Sequence, residues 1–328
     1  MYYIILSVLL VIVISIYIKI ADKFNIIDKP NSRSSHSKIT VRGGGIIFPV
    51  AILIWFMSYG FHYPMFFAGL VMISLVSFID DISPLSNRIR IAIQFASILL
   101  LFSELGFHLL PWWIWVIIWV ISTGTINAFN FMDGINGITT SYSLSVLLGV
   151  WLVNNYQVEF IPNELIYSTG LSLLIFSFYN FRKRAICFAG DVGSVSIAFI
   201  LVFILAKLII QTNNLLYILF LSIYGVDTIT TIIYRLWQRE NIFEAHRKHV
   251  YQLLANELKL SQIFVATTFA SLQLLICTIV YLTINKNYTN TTTLIFGLSS
   301  LALMALLFGG ARYKINAYQA KQKAQITV

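Results

Sequence analysis

The chain has 328 residues, of which 58% are hydrophobic and 11% charged. Soluble domains carry about 45–50% apolar and about 25% charged residues; a soluble fold could not hide this much apolar surface, whereas a bilayer can. The formal net charge of +9 is carried by short loops between long uncharged runs, which excludes a soluble domain with one anchor and reads as topology rather than as a nucleic-acid-binding surface.

A spanning helix needs about 20 apolar residues. The hydropathy pattern predicts about eleven such helices, at roughly 2–19, 45–60, 64–79, 89–106, 111–126, 137–153, 164–180, 193–211, 215–234, 262–284 and 292–310, with the second, third and fifth the shortest. The first run lacks a basic leader and a small-residue cleavage site, so it reads as a helix rather than a signal peptide. With the N-terminus outside and strict alternation, all of the 22 Lys and Arg fall inside except Lys207, within a span, and Lys286, outside. An odd number of spans then leaves the C-terminus inside. Trp112, Trp113, Trp151 and Tyr251 lie near span ends and fit interfacial belts. The reading is an all-α integral membrane protein, one polytopic domain over 1–328, with inside loops at about 20–44, 80–90, 127–136, 181–193 and 235–261. Cys187 and Cys277 fall in an inside loop and a span, so no disulfide is expected, and no Cys/His spacing suggests a metal site.

The chemistry-bearing residues concentrate on the inside face. Arg33-Ser34-Ser35-His36 and Arg42-Gly43-Gly44-Gly45 precede the second span; they make either a flexible, anion-friendly entry or a loop that sets topology. Asp80-Asp81 closes the third span. Adjacent carboxylates repel unless a proton or cation is present, and Mg²⁺ is often shared between carboxylates and substrate phosphates; the competing reading is a solvated helix end before Pro84. Asn127, Asn130 and Asp133 recur every third residue, which puts them on one broad helix face suited to a nucleobase, sugar or phosphate; the competing reading is a capped interfacial helix end. Gly134 and Gly137 then let the backbone leave helical geometry. Gly190-Asp191-Val192-Gly193-Ser194 opens the eighth span, where free amides attract anions and Asp191 serves either as a metal ligand or as an N-cap. Asp227 is a carboxylate inside a span, functional by default; the competing reading is a neutral Asp hydrogen-bonded to Asn or Ser. His246-Arg247-Lys248-His249 combines cations and donors that can clamp a diphosphate, or simply forms a basic loop.

In order and in placement these motifs resemble those of the polyprenyl-phosphate N-acetylhexosamine-1-phosphate transferases. The resemblance runs from about Asp28 to Tyr251 and is carried by Arg33-Ser-Ser-His36, Arg42-Gly-Gly-Gly45, Asp80-Asp81, Asn127-x-x-Asn130-x-x-Asp133-Gly, Gly190-Asp191-x-Gly-Ser194 and His246-x-x-His249. It implies a multi-pass enzyme of the bacterial cytoplasmic (inner) membrane, its active site facing the cytoplasm. Undecaprenyl phosphate and a UDP-N-acetylhexosamine would be its substrates, Mg²⁺ its cofactor with Mn²⁺ as the substitute, and a polyprenyl-diphosphate sugar and UMP its products. A homodimer is compatible with this reading; a nucleic-acid partner is not expected. By the same resemblance Asp80, Asp81, Asp133 and His249 are the candidate catalytic residues. Asn127, Asn130, Asn180, His246, Arg247, Arg42 and His36 are candidates for substrate binding, and Asp191, Asp133 and Asp81 for the metal. Asn136 stands where many relatives carry Asp, and Tyr251-Gln252 follows His249 where the cell-wall branches cluster histidines. The loop therefore looks most like the branch that initiates O-antigen. The rival readings are the cell-wall or teichoic-acid branch of the same chemistry, a membrane transporter or lipid flippase, and a structural subunit that keeps the fold without the chemistry.

Overall fold

The computed structural model describes residues 1–30, 35, 38–107, 111–242, 244, 246–284 and 290–326. In chain order the helices are α1 (Tyr2–Lys23), α2 (Ile47–Ser58), α3 (Pro64–Ile82), α4 (Asn87–Glu104), α5 (Trp112–Met132), α6 (Ile138–Tyr156), α7 (Asn163–Asn180), α8 (Gly190–Thr212), α9 (Ser222–Trp237), the single turn α10 (Val250–Gln252), α11 (Gln262–Ile284) and α12 (Asn290–Ile326). A 3₁₀ stretch, Leu215–Leu221, runs straight into α9. Two short antiparallel strands, β1 (Ile27–Asp28) and β2 (Thr40–Val41), lie between α1 and α2.

The fold is all-α and polytopic. Each stretch marked by hydropathy coincides with a helix. Among the described residues, seven helices are long and apolar enough to cross a membrane: α1, α3, α5, α8, the run Leu215–Trp237, α11 and the Ile295–Gln319 part of α12. The remainder are less apolar or shorter. α2 has only 12 residues, α4 opens with Arg88 and Arg90, and α6 and α7 are rich in Ser, Thr and Asn. Helices α3 and α5 run further than hydropathy suggests, to Ile82 and Met132, because the chain keeps its helical hydrogen bonds through the polar residues. Asp80 and Asp81 thus sit inside the last turn of α3, not beyond it.

Helix α8 is the hub. Of its apolar window 72% is buried, against 28% for α1 and 22% for α5, so α8 faces protein while α1 and α5 face lipid. In a bilayer the drive to pack is van der Waals contact and interhelical hydrogen bonding, because lipid already solvates apolar surface. Small residues in the first turns of α8 permit that contact. A Cβ on Gly193 or Gly45 would strike the other's backbone, and Ser196 pairs with Ser74 of α3 at 2.8 Å. Deeper, Phe66 of α3 stacks on Phe203 with ring centroids 4.0 Å apart. A second polar clasp holds the other half: Gln273 of α11 accepts from Tyr142 Oη at 2.9 Å and donates to the Leu219 carbonyl at 3.0 Å.

Alternation of direction decides where the polar ends meet. α3, α5 and α7 end where α2, α4, α6 and α8 begin, so one end of the bundle gathers Asp80, Asp81, Asn130, Asp133 and Asn180 with the starts of four helices. Those starts carry free amides and partial positive charge. The opposite end carries ordinary caps. Glu104 accepts the Met65 and Phe66 amides at 2.7 and 3.3 Å, and Asn154 accepts those of Phe160 and Ile161.

Candidate active site

The Arg42–Gly45 run reaches the start of α8 through its backbone. The Gly44 and Gly45 amides donate to the Phe188 and Ala189 carbonyls at 2.9 and 3.0 Å. Gly190, with φ +74°, turns against Gly43 and the Asp81 carboxylate so closely that a Cβ would collide with both. Glycine is needed there for the left-handed φ and for the approach. The 42–45 motif is therefore a backbone joint that delivers Arg42.

Asp81, its side chain fully buried, caps α8 from α3. It accepts the Asp191 amide at 2.8 Å and the Val192 amide at 3.0 Å, and Arg42 Nε at 2.6 Å. The capping reading of Asp191 fails for this reason: α8 begins at Gly190, Asp191 lies within its first turn, and the cap is supplied by another helix. Asp191 instead gathers side chains. Arg42 donates to its Oδ1 at 2.8 Å and Asn130 Nδ2 at 3.0 Å, while Arg90 stands 3.6 Å from its Oδ2. Arg90 also pairs with Asp80 at 3.2 Å, whose Oδ1 accepts the Leu85 amide at 2.6 Å. Asp80 and Asp191 are within hydrogen-bonding reach of one another. Burial lowers the pKa of the Arg42 guanidinium, but Asp81 and Asp191 outweigh it and hold the group above its ordinary value.

Beside this knot lies a cavity of ≈ 270 Å³ lined by Arg42, Asn130, Asp133, Asn180, Asp191 and Ser194, among others. Asp133 follows the end of α5 and accepts from Thr139 Oγ1 at 2.6 Å. Burial pushes its carboxyl up to about 6, against the pull of that hydroxyl. Asn180 is a joint in the wall: it accepts the Gly137 amide at 2.7 Å and donates to the Cys187 carbonyl at 2.9 Å. Asn136 donates to the Arg182 carbonyl at 2.9 Å, so this amide closes a loop.

Not every candidate joins this cluster. Asn127 shares a helix with Asn130 but pairs with Gln94 of α4, at 3.3 and 3.4 Å. The broad face expected of Asn127, Asn130 and Asp133 is split between two neighbours. His246 and Arg247 line a different cavity with Arg235, Glu240 and Lys248. His249 is buried, its ring 6.4 Å from that of Phe131 and 5.9 Å from that of Tyr251. His36, with Arg33 and Ser34, lies outside the described residues. Tyr251, read as an interfacial belt residue, is fully buried, because Gly134 leaves a slot for its hydroxyl, which donates to the Phe131 carbonyl at 2.8 Å. Cys187 and Cys277 are free thiols.

Residue-type reasoning missed Arg90, Gln252 and Gln262. The signal for Arg90 was present: a basic residue in the first turn of a helix opposes the macrodipole, so Arg90 needs an acidic partner elsewhere. Gln252 and Gln262, which line the cavity, gave no such sign.

Whether these residues suit a divalent cation follows from their chemistry. Among the described residues, Asp80, Asp81 and Asp191 make their ion pairs with Arg42 and Arg90, so with Asp133 four carboxyl groups meet two cations beside the cavity. Among the described residues no three of His, Cys, Asp and Glu are disposed to hold one ion. Mg²⁺, however, is commonly bound by one or two carboxylates plus substrate phosphates and water, and Asp191 with Asp133 meets that requirement.

Residues 63–209 match the family model described as Glycosyl transferase family 4. A probable undecaprenyl-phosphate N-acetylglucosaminyl 1-phosphate transferase of Bacillus subtilis (strain 168) is 26% identical over 278 residues, covering 76% of this chain and 75% of the relative. An undecaprenyl-phosphate alpha-N-acetylglucosaminyl 1-phosphate transferase of Thermotoga maritima is 24% identical over 271 residues, with 77% and 80% covered. The protein of that name from Escherichia coli (strain K12) is 24% identical over 269 residues, with 72% and 71% covered.

Proposed function

We propose that this chain, whose residues 63–209 match the glycosyl transferase family 4 model, is a member of that family and transfers an N-acetylated hexosamine 1-phosphate from a UDP-sugar to undecaprenyl phosphate. The products are a polyprenyl-diphosphate sugar and UMP. The observation that carries this reading is the knot of Asp80, Asp81 and Asp191 with Arg42 and Arg90 at the rim of a polar cavity, at the end of the bundle where helix starts converge. Family relatives name the lipid and the sugar phosphate; the geometry supplies groups suited to both.

In this reading the lipid phosphate comes to the rim and the diphosphate of the donor occupies the cavity. An oxygen of the lipid phosphate attacks the sugar-bearing β-phosphorus. The bond from that phosphorus to the oxygen bridging it to the α-phosphate breaks, and UMP leaves with the electron pair. Arg42 and Arg90, fixed by carboxylates, offer donors to phosphate oxygens without reorganising. Asn130 orients Asp191 through a hydrogen bond of 3.0 Å and is itself held by donating to Ser194 Oγ at 3.1 Å. A bound Mg²⁺, held by Asp191 and Asp133, would spread the charge that develops on the diphosphate. Asp81 we assign to holding the start of α8 and the Arg42 side chain. The acceptor is already an anion near neutral pH, so no strong general base is required of Asp80.

The cavity end is the basic end of the molecule, and the positive-inside bias supports a reading in which it faces the bacterial cytoplasm. We take N-acetylglucosamine as the first donor to test because the relatives carry it in their names, with initiation of an O-antigen-type glycan ahead of a cell-wall role. The experiment mixes purified protein, undecaprenyl phosphate, Mg²⁺ and a panel of UDP-N-acetylhexosamines, and measures UMP. Lipid-dependent UMP from one donor, lost in Asp191→Asn, is the expected result. Transport of lipid without UMP release would replace this reading with a flippase.

A further inference from the structure

A second buried carboxylate lies away from the cavity, and nothing in the transfer chemistry above uses it. Asp227 of α9 is fully buried. Its Oδ1 accepts the Val250 amide at 2.9 Å and the Thr231 hydroxyl at 3.2 Å, and its Oδ2 faces the Tyr251 amide at 3.4 Å. His249 Nδ1 stands 3.6 Å from the same Oδ1. From α12, Arg312 comes within 3.6 Å of Asp227 and donates to the Thr230 carbonyl at 2.8 Å and to Thr231 Oγ1 at 2.5 Å. Its guanidinium lies 5.1 Å from the Tyr234 ring centroid.

The turn that Asp227 holds is also a wall of the cavity. Tyr251 anchors to the Phe131 carbonyl, two residues before Asp133, and fills the slot at Gly134. Gln252 lines the cavity and accepts the His249 amide at 3.3 Å. A continuous set of contacts therefore runs from Arg312 through Asp227 and the 249–252 turn to the end of α5. Burying a charge pair is costly, and an apolar pair of the same volume is often as stable. A pair in such a place is explained by what it orients.

We infer that Asp227 and Arg312 form a positioning pair that holds the His249–Gln252 turn against α5, making α12 a structural part of the donor-binding site. The inference builds on the transferase reading. Neither residue touches the cavity; both act through the turn.

The test uses the full chain in lipid nanodiscs and compares wild type, Arg312→Met and Arg312→Lys by hydrogen exchange and by UMP-release kinetics. In Arg312→Met, exchange at the Val250 and Tyr251 amides rises about tenfold or more while the α6–α11 contact keeps its protection, as expected of a local opening. The KM for the UDP-sugar rises about tenfold with kcat changing less, the pattern of lost binding geometry. Arg312→Lys keeps the charge but not the fork and shows about one third of each effect. Unchanged exchange at 250–251, or a uniform rise over all helices, overturns the inference. If Arg312→Met does not fold, Arg312→Lys decides the same question at smaller amplitude. If wild type releases no UMP from any donor, the transferase reading fails, while the exchange comparison still judges the positioning pair.

Discussion

Asp81 and Asp227 do the same work on the backbone. Each accepts two consecutive amides at the start of a helical segment, Asp191 and Val192 for one, Val250 and Tyr251 for the other, and each lies beside an arginine from a distant part of the chain. Their surroundings differ. Around Asp227 one carboxylate meets one guanidinium and the region is closed. Around Asp81 the chain adds Asp80, Asp191 and Asp133, more negative charge than Arg42 and Arg90 balance, and opens a polar cavity beside it. Capping a helix needs one carboxylate. The surplus at the first site is what a fold does not require and a phosphate-handling centre does.

The sharpest way to break this comparison is to remove one unit of the surplus. Asp191→Asn keeps volume and one acceptor oxygen but loses the charge. UMP release should fall about 10³-fold, within the range for deleting a group that stabilises developing charge, while the thermal transition in detergent stays within about 2 °C. A large drop in the transition temperature with proportional loss of activity would mean that Asp191 is a structural ion-pair partner like Asp227.

Asp81 should answer in the opposite sense, through stability first. Asp81→Ala leaves Arg42 Nε and two amides without their acceptor in a buried place, and breaking such a pair costs about 3–5 kcal/mol. Its thermal transition should fall by more than that of any variant at Asp80 or Asp133. Asp81→Asn, which restores an acceptor for an amide, should recover part of the loss. An Asp81→Ala protein that melts with the wild type yet is inactive would move Asp81 from the helix cap to the chemistry.

Between these extremes stands Arg90, which bridges Asp80 and Asp191. Arg90→Gln should lower kcat/KM about tenfold to a hundredfold, as for loss of one charged donor. Asn127→Ala, by contrast, should leave UMP release within about threefold, because Asn127 is turned to Gln94 and lost side-chain bonds of that kind are worth about 1 kcal/mol. Asn130→Ala, which frees Asp191, should fall with Arg90→Gln. Equal effects at Asn127 and Asn130 would show that both amides face the donor.

The carboxylates were legible in the sequence because they cluster in a chain with few charges, and hydropathy located the helices because bilayer length constrains them. Spacing alone could not say which neighbour a residue meets. Asn127 and Asn130 lie three residues apart on one helix, yet α4 takes one and α8 the other. Asp81 and Asp191 looked alike as candidate ligands, but only packing of α3 against α8 makes the first a cap for the second's amide. The Tyr251 slot needs Gly134, and the Asp227–Arg312 pair needs α9 beside α12. Neither adjacency is written in a local pattern.

The smallest expected effect separates the two regions by pH. Burial lowers the His246 imidazole to about 4, helped by His249, Arg235 and Lys248 and opposed by Glu240. Its neutral Nδ1 accepts the Lys248 amide at 3.3 Å, a bond that protonation there removes. An unfolded imidazole titrates near about 6.5, so between about 6.5 and 4 the open segment binds the proton more readily than the closed one. Stability rises with pH wherever the unfolded state holds more protons. The closed 246–252 segment is therefore favoured in full above pH 6.5, and that advantage is lost as pH falls toward 4. Hydrogen exchange of the Lys248 amide, corrected for the free-peptide rate, should be flat from pH 8 to 6.5 and accelerate below it. His246→Gln should flatten the profile while leaving the Asp191 amide, held by Asp81, unchanged. Acceleration with rising pH, or a profile that survives His246→Gln, would assign the sensitivity to another group.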